Sequence, residues 1–237
     1  MAGAPPAKRH PYDQWSPDTR ALDLVGDKWT LLIVRDLTTG PRRFVELQRV
    51  LPGISTEQLR SRLNRMVADG LLTRTRYREV PPRVDYELTP RARELLPVLA
   101  QLAIWGLTWA WSEPRDQERV DIGAILRLLP GLVDAHEHPG VVECVVTDGA
   151  RDGGAFHATL TLTAAACTME ERPAVTPTAR ISGDKDAWIA ALSPGGSPSA
   201  LRVSGERPLA EQLLTALSTH RRAAPETVAE DDANTGR

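Results

Sequence analysis

The stretch from Phe44 to Thr89 constrains the fold of this chain more than any other part of its sequence. Its first segment, FVELQRV, carries apolar residues three positions apart and predicts a short helix. The breakers Pro52-Gly53 then predict a turn, and TEQLRSRLNRMVAD predicts a second helix that ends before Gly70. Two strand-like stretches, LLTRTRYR and RVDYELT, lie on either side of EVPP. The pattern therefore predicts two helices joined by a turn and followed by a β-hairpin.

This order of elements is typical of a winged helix-turn-helix domain, whose second helix enters the major groove of duplex DNA. At 100° per residue, the second helix places Leu59, Leu63 and Met66 on one buried stripe, so its polar residues face outward. The hairpin adds several arginines that could reach phosphates. The residues predicted to contact DNA are Arg43, Ser55, Thr56, Gln58, Arg60, Ser61, Arg62, Asn64, Arg65, Arg76, Arg78 and Arg83.

The charge of the chain is divided unevenly along its length. Residues 1–112 hold 17 Lys and Arg against 12 Asp and Glu, whereas residues 113–237 hold 12 against 19. A basic first half indicates a polyanionic partner for that half, although an uneven solvated surface would give the same numbers. Because no run of aromatic residues suited to stacking single-stranded bases accompanies the arginines, we expect duplex DNA as the partner.

Residues 16–112 resemble the HxlR family of bacterial winged helix-turn-helix regulators. The resemblance rests on ALDLVGDKWTLLIVRDL (21–37), GPRRFVELQRVLPGIS (40–55), LRSRLNRMVADGLL (59–72) and EVPPRVDYELTPRARELLPVL (79–99). It implies a cytoplasmic homodimer that binds an inverted-repeat operator and uses its terminal apolar helices as the dimer interface. The residues assigned to dimerisation are Trp15, Leu99, Leu102, Trp105 and Trp109.

The segment from Leu95 to Ser112 carries no charged side chain and has the length of a short membrane span. It also contains Pro97 and Gly106 and directly follows the polar stretch ELTPRARE. A helix buried against a partner subunit has the same composition. We therefore expect this second interpretation and no membrane partner.

Members of the HxlR family often carry a cysteine just before the first helix, where this chain has Ser16. Thiol-based redox sensing, known in some relatives, would therefore lack its usual residue. Cys144 and Cys167 lie outside the resembling region and show no paired metal-ligand spacing, which predicts a reduced intracellular protein. Residues 1–11 also lack the apolar core of a secretory signal.

The sequence predicts four segments in all. A flexible lead (1–15) precedes the winged helix-turn-helix domain (16–112). A second, α+β domain follows at residues 113–222, and a disordered tail (223–237) ends the chain. An amphipathic helix, DIGAILRLLPGLV, broken at Pro130-Gly131, precedes the strands VVECVVT and AFHATLTLT. AACTMEE either extends the second strand or forms a third. ARISGDK and LRVSGER repeat one pattern of strand, Ser-Gly turn and helix. Their helix N-termini could bind anions, or the two units could simply share one sheet.

This second domain resembles the sterol-carrier-protein fold through ISGDKDAWIAAL and LRVSGERPLAEQLLTAL. The resemblance implies a helix-covered mixed sheet with an apolar ligand cavity or a protein-docking surface. The same side chains would equally fill an ordinary core between sheet and helices. The residues predicted to line a cavity are Phe156, Leu160, Leu162, Trp188, Ile189, Leu192 and Leu213.

Motifs for enzymatic chemistry are missing from the sequence: it contains no G-x-S-x-G, P-loop or G-x-G-x-x-G. His136-Glu137-His138 could indicate a metal, but side chains two positions apart on a helix diverge and no third ligand is near. We therefore predict no enzyme, no cofactor and no metal site.

Together these features predict a homodimeric DNA-binding transcriptional regulator, with an apolar small-molecule effector as one option for its second domain. The alternative is a lipid carrier or interaction protein whose winged helix serves only dimerisation. A winged helix without DNA contacts should lose the polar outer face of its second helix, and this chain keeps Gln58, Ser61, Asn64 and Arg65 there.

Overall fold

The computed structural model of the protein describes residues 11–78, 80, 82–134, 138–149 and 154–217. The predicted tail at 223–237 and most of the predicted lead lie outside these ranges. The α-helices are α1 (Pro17–Val25), α2 (Thr30–Asp36), α3 (Phe44–Val50), α4 (Thr56–Ala68), α5 (Pro90–Arg93), α6 (Leu96–Trp109), α7 (Ile122–Leu126), α8 (Lys185–Leu192) and α9 (Arg207–Ala216). The strands are β1 (Arg42–Arg43), β2 (Leu72–Tyr77), β3 (Arg83–Leu88), β4 (Gly140–Val146), β5 (Phe156–Leu162), β6 (Cys167–Glu170), β7 (Ala179–Gly183) and β8 (Arg202–Gly205).

The N-terminal half, residues 16–112, has the predicted winged helix-turn-helix arrangement. Helices α3 and α4 form the helix–turn–helix, and β2 and β3 pair antiparallel from Leu72↔Leu88 to Tyr77↔Arg83. Helix α4 ends as its sequence predicts, because Gly70 adopts a left-handed φ of 71° that an L-residue would strain to reach. The amide of Leu71 then donates to the carbonyl of Met66 at 2.8 Å and closes the helix end.

Strand β1 is an element that the sequence pattern did not predict. Arg42 pairs with Tyr86 and Arg43 with Asp85, so the sheet order is β1-β3-β2. Two arginines after Gly-Pro carry no alternating apolar pattern, and they become a strand because β3 offers them an edge. This pairing directs Arg42 towards the second half of the chain, where its guanidinium meets Glu171.

The uncharged segment at 95–112 forms helix α6 over most of its length. Among the residues that the structure describes, no helix is both long and apolar enough to cross a membrane. The sequence predicts an amphipathic helix at 121–133 that breaks at Pro130-Gly131, and the structure ends its α-helical part earlier, at Leu126. That stretch splits into α7 and a single 3-10 turn at Leu129–Gly131, because Pro130 lacks the N–H that a continuous helix needs.

The C-terminal half, defined as residues 113–217, contains a five-stranded mixed sheet of order β6-β5-β4-β7-β8. Strands β4 and β7 run parallel, and the other neighbours are antiparallel. AACTMEE forms a third strand, β6, and the two Ser-Gly phrases become β7–α8 and β8–α9 of one sheet. The predicted α+β class is therefore confirmed for this half.

Most of the residues predicted to line an apolar cavity lie in the packed core of the C-terminal half. Leu160, Leu162, Trp188, Leu192 and Leu213 are all buried within one continuous cluster between the sheet and its helices. Phe156 and Ile189 are half-buried at the edge of that cluster. The indole Nε1 of Trp188 donates to the Val145 carbonyl at 3.0 Å, which fixes the ring inside the core. These contacts match the interpretation of the residues as an ordinary sheet–helix core.

Candidate nucleic-acid interface

Three side-chain hydrogen bonds hold the start of helix α4. The hydroxyl of Ser55 accepts from the Gln58 amide at 3.1 Å, and the Gln58 side-chain oxygen accepts from the Ser55 amide at 3.1 Å. This reciprocal pair is a capping box. Gln48 on α3 also donates to the Thr56 hydroxyl at 2.8 Å. Ser55, Thr56 and Gln58, predicted as DNA contacts, are exposed and also position the helix.

The outer face of α4 is polar, as helical geometry predicts. Leu59, Leu63 and Met66 are fully buried against the N-terminal core. Ser61 and Asn64 are exposed on the opposite side. Together with Gln58, they present hydroxyl and amide groups of the kind that read base edges in a major groove.

Arg62 and Arg65 are committed to ion pairs within the chain. Nη1 of Arg62 lies 3.0 Å from a carboxylate oxygen of Asp27, which precedes α2. Nε of Arg65 donates to Asp69 at 2.9 Å, one turn further along α4. Both arginines are half-buried, so they anchor α4 more than they extend from it. The Arg62 pair depends on how α4 packs beside α2, and the Arg65 pair on how α4 ends. The sequence analysis predicted neither pair.

The exposed Arg60 of α4 also has an ion-pair partner. Its Nη1 lies 2.9 Å from Glu57, one turn earlier on the helix. Because both side chains are solvent-exposed, this pair contributes little and the guanidinium can exchange it for a phosphate.

The β2–β3 hairpin carries arginines of two kinds. Arg76 and Arg78 are exposed and lie near the end of β2 that leads to the hairpin connection. Arg83, in contrast, donates through both Nε and Nη2 to the buried carboxylate of Asp85 and stacks 5.1 Å from the ring centre of Tyr77. The predicted phosphate-contacting role therefore fits Arg76 and Arg78 better than Arg83.

Asp85 is a residue that the sequence analysis did not single out. Hydrogen bonding from Arg83 outweighs burial and lowers the pKa of the Asp85 carboxyl. Arg43 approaches the same carboxylate at 4.0 Å. The ionised aspartate thus holds two of the predicted DNA-contacting arginines, Arg43 and Arg83, at the three-stranded sheet. The one indication of this role in the sequence is the order Arg83-Val84-Asp85 within a predicted strand.

A second exposed surface of the N-terminal half is apolar. Leu102, Trp105 and Trp109 on α6 are each more than half exposed, and Trp15 before α1 is 94% exposed. Leu99, assigned to the same surface from the sequence, is instead buried in the core of the N-terminal half. The helix turns this residue inward, towards its own protomer.

Buried charges join the two halves of the chain. Arg127, at the end of α7, has a side chain only 3% exposed and lies 3.3 Å from the fully buried Asp36 of α2. Its Nε donates to Glu171 at 2.7 Å, and Arg42 and Thr39 donate to the same Glu171 oxygen. Burial raises the pKa of Glu171, but the charge of Arg127 and the hydrogen bonds outweigh this and hold it below its usual value.

Neither cysteine has the surroundings of a reactive thiol. Burial raises the pKa of Cys144 to about 12 and that of Cys167 to about 11. Ser16, at the position where relatives carry a cysteine, caps α1 by accepting from the Thr19 amide. His157 hydrogen-bonds Glu143 at 2.8 Å.

The metal-like motif is mostly outside the residues that the structure describes, since only His138 of His136-Glu137-His138 falls within them. Across the described ranges, no group of three His, Cys, Asp or Glu side chains is arranged to hold a metal ion.

Comparisons with known proteins find similarity to transcriptional regulators over the N-terminal half. The solved structure of the redox regulator HypR in its reduced form is 37% identical, covers 38% of this chain and 90% of that one, and has a TM-score of 0.37. A family model described as HxlR-like helix-turn-helix matches residues 24–114. An uncharacterized HTH-type transcriptional regulator of Synechocystis sp. is 41% identical over 97 residues, which are 41% of this chain and 72% of that protein. Another, from Halalkalibacterium halodurans, is 42% identical over 95 residues, 40% of this chain and 84% of that protein.

These relatives are named as transcriptional regulators, which supports the expectation that the chain is not an enzyme. The matched region contains α2 to α6 and the β2–β3 hairpin. The chain belongs to the HxlR-like helix-turn-helix family of bacterial transcriptional regulators.

Proposed function

We propose that the protein acts in the bacterial cytoplasm as a homodimer that binds an inverted-repeat operator in duplex DNA. Helix α4 lies in the major groove, and the β2–β3 hairpin lies along the phosphate backbone. The observation that carries this proposal is the exposed polar face of α4, formed by Gln58, Ser61 and Asn64, beside a hairpin that exposes Arg76 and Arg78.

We divide the predicted DNA contacts by whether the side chain is exposed or is half-buried in an ion pair within the protein. Gln58, Ser61 and Asn64 read base edges, and Arg60, Arg76 and Arg78 contact phosphates. The other basic residues of the predicted set support the helix and the hairpin through ion pairs with Asp27, Asp69 and Asp85. The side chain of Arg43 is half exposed, so Arg43 can still contact the phosphate backbone of DNA.

The dimer interface is the exposed face of α6, with Leu102, Trp105 and Trp109, together with Trp15. Large apolar side chains exposed on one helix face are costly in water, and aromatic residues are the usual anchors of protein interfaces. A two-fold dimer formed through this face relates its two copies of α4 by the same symmetry that an inverted repeat has.

For the C-terminal half we propose a sterol-carrier-like fold. This half helps to bind a small apolar effector that modulates the regulator. The rival function is a lipid carrier or interaction protein that uses the winged helix only for dimerisation. The polar face of α4 favours DNA binding, since a helix used only for protein contact would bury or lose it. The packed core around Trp188 further disfavours a lipid tunnel at the position predicted from the sequence.

Selection from a library of random duplexes tests the proposal, with fluorescence anisotropy then measuring affinity for the enriched sequence. We expect the full-length protein to bind that sequence at least 1,000-fold more tightly than random DNA, roughly the lower end for specific regulators. Ser61→Glu places a carboxylate on the outer face of α4 and should abolish this binding. Val175→Glu, at an exposed position of the C-terminal half, is the matched control. Failure to enrich any sequence would refute the proposal.

A further inference from the structure

A cavity of about 320 Å³ lies where the two halves of the chain meet. Its walls are mainly apolar and come from α2, from the turn before α4, from the connection after α6, and from α7 and α8. They include Leu32, Leu51, Trp111, Ile125, Ile189 and Leu192. Only Ile189 and Leu192 belong to the set that the sequence predicted for an apolar cavity.

The walls of this cavity are held by contacts between the halves. The indole Nε1 of Trp111 donates to the Leu192 carbonyl at 2.8 Å, which orients the ring at the cavity wall. Leu51 is almost fully buried in the N-terminal core. Arg35, which also lines the cavity, is held by Asp36, the residue that pairs with Arg127 across the two halves. The space is therefore built by fixed elements, as in ligand sites that are largely formed before binding.

The charged side chains around the cavity favour an uncharged ligand. Arg35 already donates through Nε and Nη2 to Asp36, at 2.9 and 3.1 Å. Glu118 accepts from the amide and side chain of a neighbouring arginine, and Asp121 caps α7. Arg119 is exposed at the rim. The two positive and two negative groups of the lining cancel, and three of the four are already engaged. A charged ligand would therefore lose hydration and find only the exposed rim arginine to pair with it.

The cavity also touches the segment that positions the recognition helix. Leu51 and Pro52 line it, and they form the turn between α3 and α4. The capping residue Ser55 follows within the same connection and starts α4 at Thr56. A ligand that packs against the turn therefore acts within a few residues of the proposed DNA-reading face.

We propose that this cavity between the halves is the effector site of the regulator and binds an uncharged aromatic or alicyclic small molecule. The regulatory part of this inference rests on the proposed DNA-binding function. Because the turn that lines the cavity also positions α4, binding of the effector changes the affinity for the operator, and the change is reciprocal.

A pair of fluorescent probes tests the site on the full-length protein. 1-Anilinonaphthalene is neutral, whereas 8-anilinonaphthalene-1-sulfonate has the same rings with one negative charge. We expect saturable binding of the neutral probe and at least tenfold weaker binding of the sulfonate. Ala124 lines the cavity, so Ala124→Phe should fill it and abolish binding of the neutral probe. Ala165→Phe, in an exposed turn of the C-terminal half, should leave it unchanged.

Leu32→Trp fills the cavity from the opposite wall and should give the same loss, which keeps the test decisive if Ala124→Phe does not fold. Lack of saturable binding by the neutral probe, or binding that survives both folded variants, would overturn the site. Equal affinity for the two probes would overturn the assignment to uncharged ligands.

The coupling is measured by repeating the neutral-probe titration with the enriched duplex bound. We expect the probe Kd to change at least fivefold, and the operator Kd to change by the same factor when the probe saturates the protein. An unchanged Kd would overturn the effector role while DNA binding stands. Failure to enrich any duplex would instead refute the proposed function, with probe binding measured independently.

Discussion

Nη1 of Arg127 lies 3.3 Å from Oδ1 of Asp36, and this buried ion pair joins the C-terminal half to the helix-turn-helix half. The two residues are 91 positions apart in the chain. Burial makes each charge costly in isolation, so each depends on its partner. Arg127 also donates to Glu171, and the same carboxylate accepts a hydrogen bond from Arg42. Arg42 belongs to β1, which directly precedes α3, the first helix of the helix–turn–helix. The two halves therefore do not behave as independent units on a flexible connection.

Arg127→Met should destabilise the protein strongly. The methionine can occupy much of the same volume, but Asp36 and Glu171 lose a shared counter-charge inside the junction. We expect the free energy of unfolding to fall by about 3–5 kcal/mol, the usual result of breaking a buried pair. Urea denaturation of the full chain followed by tryptophan fluorescence measures this loss.

The matched control for this change is Arg172→Met, because Arg172 pairs with Glu170 at the surface. Exposed pairs contribute about 0–1 kcal/mol. Equal losses for the two variants would show that the buried pair has no special role.

Glu171 should make the stability of the junction depend on acid. Although burial opposes it, the charge of Arg127 lowers the pKa of Glu171 below the ordinary 4.5. A carboxyl with a depressed pKa in the folded state stabilises above its unfolded pKa, and that contribution is lost as the pH falls through the folded value. The stability difference between the natural chain and Glu171→Gln should therefore be largest at pH 7 and shrink below about pH 4.5.

Denaturation at several pH values checks this prediction, and Glu170→Gln is the control at the exposed neighbouring position. A difference that stays constant from pH 7 down to the acid transition would show that ionisation of Glu171 does not support the junction.

Asn64→Ala and Arg76→Ala should affect DNA binding in different ways. Asn64 is exposed on the outer face of α4, so its loss should remove about 1–3 kcal/mol of discrimination between operator and random DNA. Arg76 on the hairpin should weaken both complexes alike and reduce the salt slope by about one. Anisotropy titrations at several salt concentrations separate the two effects. Equal weakening on both duplexes by Asn64→Ala would contradict its base contact.

Trp105→Glu should dissociate the proposed dimer. Trp105 is 59% exposed in the protomer, and the change puts a charge into the apolar face of α6. We expect the dimer Kd to rise at least tenfold, equivalent to ~1.4 kcal/mol. Sedimentation velocity across a concentration series measures it, with Val175→Glu as the exposed control outside α6. A dimer that survives Trp105→Glu unchanged would place the interface elsewhere.

The two native cysteines should resist alkylation in the folded protein. Burial raises the pKa of Cys144 to about 12 and of Cys167 to about 11, so little thiolate is present at pH 7. Iodoacetamide labelling followed by mass spectrometry should modify both only after denaturation. Ser16→Cys, at the N-cap of α1, provides a reactive comparison because a helix N-terminus favours the thiolate. Native cysteines that label as fast as this variant would contradict the assignment.

The sequence by itself determined the local elements of both halves. Apolar spacing predicted α3 and α4, and the turn residues predicted their boundaries. The outward face of α4 followed from helical geometry alone. These features are accessible from sequence because each depends on residues within one or two turns of a helix or along one strand.

Tertiary structure decided what the charged and apolar side chains do once the elements meet. It turned Leu99 inward, engaged Arg62 with Asp27, and brought Arg127 to Asp36. It also filled the predicted cavity around Trp188 and left a different one between the halves. Periodicity reports which face of an element is apolar, but not which surface covers that face. That choice depends on contacts between residues far apart in the chain, and these exist only after the sheet and the helices have packed together.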